Sequence, residues 1–330
     1  MMRIATASLR APVLMIVVVV IAAGATAAWW AMRHRSLVAV RLAVSSIPMS
    51  AGIFLAEARD AYREHGVDVR ITVYGSGKEA LAAVLSNEAD IATVAQTPLM
   101  HAVLAGERVA VWATIAEVQK SQRIVARSDR GIRQASDLDG KTIAVPRGTS
   151  AEVYVLSYLR YHGIDPARVT MIDATIESLA ESLASGAVDA VCVWDPYASR
   201  IQEAMPEATV LEQDSLYQFS WNLVGRPELS GGRAVDGCLA ALVEVTPDLQ
   251  RLDPSEFATI AGRCGLTAEQ LTAALGSCHY RIQLDASLAI ALESDAAHLY
   301  GDQASQRAFA DILDAGPLRR VDPTAAAVDW

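Results

Sequence analysis

Residues 140–160 read GKTIAVPRGTSAEVYVLSYLR, and where a strand gives way to a helix within them decides the fold. The Gly140-Lys141-Thr142 triplet has the look of a phosphate loop, in which glycine amides and a lysine cradle a nucleotide at a helix start. Such a loop needs a second glycine five positions earlier, and that position is Ala135. Lys141 to Val145 is instead a short β-branched run, Pro146-Arg147-Gly148-Thr149-Ser150 is a break, and Ala151 to His162 carries apolar residues at helical spacing. Lys141 and Thr142 therefore open a strand, at the far end from the helix start, and hold no phosphate. The loop that faces the helix contains one cation, Arg147.

The same strand, loop and helix recur along the chain. Val40 to Val44 leads through Ser45-Ser46-Ile47-Pro48 into a helix over Ser50 to His65, closed by Gly66. Asp68 to Tyr74 leads through Gly75-Ser76-Gly77 into a helix from Lys78 to Leu85. Asp90 to Ala95 leads through Gln96-Thr97-Pro98 into a helix ending near Gly106, and Val109 to Ile115 is a strand. A second series begins near Arg123, with strands at Arg123 to Ala126, Lys141 to Val145, Val169 to Asp173 and Ala187 to Val193, and a further helix over Ile176 to Ala184. Leu216 to Val224 runs back toward the first unit. The remainder is mostly helical, interrupted by a strand-like Tyr280 to Gln283. This alternation predicts an α/β protein with parallel-type sheets. No long Gly/Ser or Pro linker separates the halves, so ordered crossing strands are expected to join them.

Composition excludes several classes. The 330 residues are 52% hydrophobic and 20% charged, enough for a substantial core. A formal net charge of -10 argues against nucleic acid as a partner, since that requires Lys and Arg to displace phosphate counterions. A small anion is still allowed, because local helix dipoles can bind one. Ala11 to Met32 carries no charge over 22 residues, long enough to cross a bilayer, with Arg3, Arg10, Arg33 and Arg35 flanking it. Ala25-Thr26-Ala27 fits a signal-peptidase site, so residues 1–37 read as a cleaved signal or a retained inner-membrane anchor, and the chain from about Val38 as exported. Cys192, Cys238, Cys264 and Cys278 form no C-x-x-C pair and the six histidines are scattered, so neither metal nor other cofactor is expected. One or two disulfides and four buried thiols both stay open.

The helix starts carry the functional signal. Ser76-Gly77-Lys78-Glu79 and Thr149-Ser150-Ala151-Glu152 fit the S/T-x-x-E capping box. Thr97-Pro98 and Asp195-Pro196 set a capping side chain before a proline, and Ser45, Ser46 and Ser50 add hydroxyls. Capping alone accounts for any one of these. Several at successive strand ends converge on the carboxyl edge of a sheet, where open α/β proteins bind ligands and positive helix ends favour an anion. No G-x-S-x-G, H-E-x-x-H or G-x-G-x-x-G stands at a strand-helix turn, which points to binding rather than catalysis.

GKTIAVPRGTSAEVYVLSYLRYHGID resembles a segment of the exported solute-binding proteins of ABC importers, in the nitrate, sulfonate, taurine and thiamine-precursor group. LAVSSIPMSAGIFLAEARDAYREHGVDVRI, GSGKEALAAVLSNEADIATVAQTP and GAVDAVCVWDPYASR agree with the same family, in order, and Trp194-Asp195-Pro196-Tyr197 looks like its aromatic-acid-Pro-Tyr element. The resemblance runs from about Val40 to Pro323. It implies a two-lobed type II periplasmic-binding-protein fold, α/β throughout, with crossings near Arg123 to Ala126 and Phe219 to Val224. Residues 38–126 and 222–330 would form one lobe and 127–221 the other. It also implies ligand loops at Ser45, Ser46 and Pro48, at Ser76 and Gly77, at Gln96 and Thr97, at Arg147, Gly148, Thr149 and Ser150, and at Trp194 and Asp195. Ser76, Thr97, Thr149 and Ser150 would hold an anionic or polar head, Trp194 would pack on the ligand body, and Asp195 would take an amine or hydroxyl. The implied ligand is a small anion, an organic sulfonate or a pyrimidine, and the implied partners are permease and ATPase subunits. A membrane-anchored sensor is the alternative. Enzymes of thiamine-pyrimidine synthesis share the fold, but their cysteine-rich signature has no counterpart here.

Overall fold

Each of the β-branched runs forms a strand in a computed structural model, which describes residues 37–118, 122–213, 216–301 and 309–327. In chain order the strands are β1 (Val38–Ser45), β2 (Val67–Tyr74), β3 (Ile91–Ala95), β4 (Ala110–Val118), β5 (Gln122–Ala126), β6 (Thr142–Val145), β7 (Thr170–Asp173), β8 (Ala190–Trp194), β9 (Thr209–Leu211), β10 (Phe219–Gly225) and β11 (Cys278–Gln283). They make two mixed sheets. The first has the order β11-β4-β10-β3-β1-β2 and the second β7-β6-β8-β5-β9. Parallel pairing joins β1 to β3 and β6 to both β7 and β8, as helical crossovers require. Among the described residues no helix is long and apolar enough to cross a membrane; the apolar stretch 11–32 lies outside them.

Burial follows position in the sheets. Strands β3, β8 and β10 are buried along their whole length, whereas β2, at an edge, buries only Val67 and otherwise has half-buried and exposed positions. Helix Ile176–Ala184 buries Ile176, Leu179 and Leu183, spaced so that all three lie on one face. Each contributes about 1.5–3 kcal/mol by leaving water.

Two details depart from the sequence pattern. The helix expected over Ser50 to His65 is broken into Ala51–Ala58 and Ala61–Glu64 by Asp60, at φ 58, a left-handed conformation that Asp tolerates better than most residues. The strands expected near the crossings, Arg123 to Ala126 and Phe219 to Val224, each belong to a single sheet. All of β5 pairs with β8, and most of it with β9, so Gln122–Ala126 belongs wholly to the second sheet. From Phe219 onward, β10 is hydrogen-bonded between β3 and β4 in the first sheet. The chain therefore changes sheet between Val118 and Gln122, and again between Leu211 and Phe219. Pairing decides this: apolar runs such as Arg123 to Ala126 do not announce which sheet will take them.

Candidate functional site

Ser76 and Thr149 both cap their helices, but neither reciprocal box forms: each glutamate accepts the amide of the residue before the cap instead of the cap's own. The Ser76 hydroxyl accepts from the Glu79 amide at 3.2 Å, while the Glu79 carboxylate accepts from the Gly75 amide at 3.1 Å. In the second sheet the Thr149 hydroxyl accepts from the Ala151 amide at 3.3 Å and donates to the Pro146 carbonyl at 2.6 Å, while Glu152 accepts from the Gly148 amide at 2.8 Å. The Gly77, Lys78 and Ser150 amides stand in the first turns of their helices, where no intrahelical carbonyl is available to them. Two equivalent helix starts, one from each sheet, thus border the same space.

That space is a cavity of about 330 Å³ including its mouth. Ser45, Ile47, Met49, Ser76, Gly77, Lys78, Ala95, Pro98, Phe219 and Trp221 line it from the first sheet's side, and Thr149, Ser150 and Trp194 from the second's. Ser45 Oγ, Trp194 Nε1 and Trp221 Nε1 are buried and have no hydrogen-bond partner among the described residues. A polar atom left in that condition costs about 1–3 kcal/mol, and native interiors contain few. The three residues that carry them all line this cavity, which makes it the candidate ligand site. Contacts across the cavity rim join the two sides: Lys78 Nζ donates to the Arg147 carbonyl at 2.7 Å and the Tyr197 hydroxyl to the Gly75 carbonyl at 3.4 Å.

Of the residues that the resemblance implied, Ser45, Ser76, Gly77, Thr149, Ser150 and Trp194 meet at this cavity. The others lie elsewhere. Thr97 donates to Asp295 Oδ2 at 2.9 Å and is bonded to the Tyr217 hydroxyl at 2.9 Å; Gln96 donates to the same Asp295 oxygen at 3.2 Å and accepts from the Ser220 amide at 3.0 Å. Their polar groups are consumed by a buried cluster, so the expected Thr97 hydroxyl is bonded to protein. Asp195 is likewise occupied. One oxygen accepts from the Ser199 hydroxyl at 2.7 Å and the other faces Arg123 at 3.1 Å, which leaves little uncompensated charge for an amine. Pro48 and Asp195 line a second cavity, Arg147 and Gly148 a third, and the Ser46 hydroxyl donates to the Arg263 carbonyl.

Trp221, Phe219 and Met49 complete the cavity and had no place in the sequence-based site. A signal existed: Phe219 and Trp221 are alternate residues of a strand and so point to one side of it. Gly77 carries another. A Cβ there would lie 2.6 Å from Trp221 Cη2, so only glycine lets the indole rest against the helix start. Behind the walls lie two thiols, Cys192 donating to the Ala151 carbonyl at 3.8 Å and Cys264 to the Ile47 carbonyl at 3.4 Å. Burial pushes the Cys264 thiol up to about 12. All four cysteines are buried and unpaired, and no group of three or more potential metal ligands occurs among the described residues.

A family model described as NMT1/THI5 like matches residues 47–217. The taurine-binding periplasmic protein of Escherichia coli (strain K12) is 24% identical over 176 residues, which are 53% of this chain and 54% of that protein. A Bacillus subtilis (strain 168) relative is 24% identical over 196 residues, and the chain spans 59% of its length. Among solved structures, the alkanesulfonate-binding protein SsuA from Xanthomonas axonopodis pv. citri bound to MOPS superposes with a TM-score of 0.71 at 20% identity, over 84% of this chain and 98% of that one. The periplasmic nitrate-binding protein NrtA from Synechocystis PCC 6803 gives 0.70 at 11% identity, over 87% and 89%. These superpositions show the two-lobed periplasmic-binding-protein fold. With the family match over more than half of its residues, the chain belongs to the NMT1/THI5-like family.

Proposed function

We propose that this chain is the extracytoplasmic binding component of an ABC importer and captures a small organic anion of the sulfonate class between Trp194 and Trp221. The observation that carries the reading is the set of buried, unpartnered groups on residues that line one cavity. Indole N–H groups can only donate, and a serine hydroxyl can donate, so this wall suits a group rich in acceptor oxygens. First-turn amides and positive helix ends at Gly77 and Ser150 add to that preference. The rest of the lining, Ile47, Met49, Ala95, Pro98 and Phe219, offers apolar contact to an alkyl or aryl body. Relatives named for taurine and alkanesulfonate binding support the same class. A ligand touching both sides stabilises the arrangement in which Lys78 meets Arg147 and Tyr197 meets Gly75, which is capture by lobe closure.

Calorimetric titration with alkanesulfonates, taurine and nitrate tests this. An alkanesulfonate should bind at about 1 μM or tighter, roughly 8 kcal/mol, and nitrate more weakly because it leaves the apolar lining uncontacted. Absence of binding by every anion would overturn the proposal. Replacing Trp194 or Trp221 by Phe keeps most of the ring and removes the N–H. Each change should weaken sulfonate binding about tenfold, the lower end for a hydrogen bond to a charged group. Unaltered affinity in both variants would refute the placement of the head group.

A further inference from the structure

Arg147, the one cation of the loop that opens the second helix start, stands outside the ligand cavity. It lines an adjoining pocket of about 970 Å³, counted with its open mouth, together with Lys78, His101, Gly148, Glu152 and Tyr300. Lys78 and Pro98 line both spaces, so the two share a wall. Lys78 Nζ reaches across that wall to the Arg147 carbonyl at 2.7 Å. Gly148 makes the approach possible: at φ +73 it suits a glycine, and a Cβ there would lie 3.3 Å from Lys78 Nζ and 3.7 Å from the His101 ring.

The polar groups of the pocket are unevenly committed. Glu152 already accepts from the Gly148 amide and lies 3.9 Å from Arg147 Nε. The Arg147 guanidinium donates to the Met171 carbonyl at 3.1 Å, which uses one of its five N–H groups. His101 Nδ1 is bonded to the Tyr300 hydroxyl at 3.0 Å, while its Nε2 is buried and has no partner among the described residues. Two fixed cations therefore face one carboxylate, in a protein whose formal net charge is -10. An anion approaching such a surface is repelled on average, and a local cationic pocket reverses the field where it must enter.

We propose that this pocket is a transient anion site leading into the ligand cavity. Arg147 receives the oxyanion of the incoming ligand, and Lys78, by releasing the Arg147 carbonyl, opens the shared wall. The proposal rests on the inner cavity binding an anion.

Stopped-flow tryptophan fluorescence with an alkanesulfonate tests it, because Arg147 lines only the outer pocket and its side chain is 46% exposed, so Arg147→Gln should fold. The wild-type association rate should fall steeply between about 20 mM and about 500 mM salt. Arg147→Gln should lower that rate about tenfold at low salt and flatten its salt dependence, with dissociation changed less than about twofold, and Arg147→Lys should restore most of the loss. An unchanged association rate and salt slope in Arg147→Gln, or a loss confined to dissociation, would overturn the proposal while leaving the inner site standing. A wild-type protein that binds no sulfonate at equilibrium would overturn both.

Discussion

Gly77→Ala is expected to weaken ligand binding by about a hundredfold or more, some 2.7 kcal/mol, with the protein still folded. The added methyl would lie 2.6 Å from Trp221 Cη2, 3.1 Å from Cζ3 and 3.1 Å from the Val94 Cα. The Val94 backbone belongs to a fully buried strand paired on both sides and cannot yield, so the indole must turn away. Turning it removes both the Nε1 donor and one apolar wall of the cavity. Overpacking of this kind costs about 1–3 kcal/mol of stability, partly offset by about 1 kcal/mol because Ala is the better helix former. Titration and thermal unfolding of one preparation check both halves. Wild-type affinity in this variant would show that Trp221 has no part in the site.

The second large effect concerns Asp295, which is 3% exposed. Its Oδ2 accepts from Tyr217 at 2.7 Å, Thr97 at 2.9 Å and Gln96 at 3.2 Å, and among the described residues no cation pairs with it. Asp295→Ala takes the shared acceptor from Gln96, Thr97 and Tyr217, and the last two keep only the bond to each other. At about 1–3 kcal/mol for each donor left unpaired, the expected loss is about 2 kcal/mol or more of unfolding free energy. Asp295→Asn keeps a carbonyl acceptor and should fold normally. Burial raises the Asp295 carboxyl above its ordinary value of 3.8, against the three hydrogen bonds that favour its ionised form. The folded chain then holds this proton more tightly than the unfolded one. Its stabilising contribution is complete below the unfolded value and is lost as pH rises through the raised native value. Asp295→Asn should therefore gain on the wild type as pH increases across that window and hold a constant advantage above it. Urea unfolding of both proteins over a pH series measures the difference, and a gap independent of pH would show that the native carboxyl is unshifted.

The fold was largely legible because strand and helix are written locally. DVRITVY and DIATVA are β-branched runs bounded by polar breaks, and β2 and β3 fall almost where those runs lie. Sheet membership was less legible, since β5 is defined by Trp194 and Leu211, far along the chain, and not by its own residues. About half of the expected site residues reach the cavity, and those that do are mostly at the two helix starts capped by Ser76 and Thr149, where hydroxyl, glycine and glutamate spacing fixes the loop. Thr97 sits at an equally convincing helix start, yet its hydroxyl is claimed by a carboxylate 198 positions later. Nothing near Thr97 could announce that. Trp221 was hidden for a similar reason. Phe219 and Trp221 alternate with Ser220 and Asn222 in FSWNLVG, which marks one face, but the strand is buried throughout and nothing in it says what that face meets.

The two thiols behind the cavity walls give the molecule a pair of intrinsic clocks. Cys192 is held beneath Ala151 on one jaw and Cys264 beneath Ile47 on the other, and neither can meet a soluble alkylating reagent while its jaw is in place. Alkylation read peptide by peptide by mass spectrometry would time the loosening of each jaw separately, without any introduced label, and would show which of the two a bound ligand holds still.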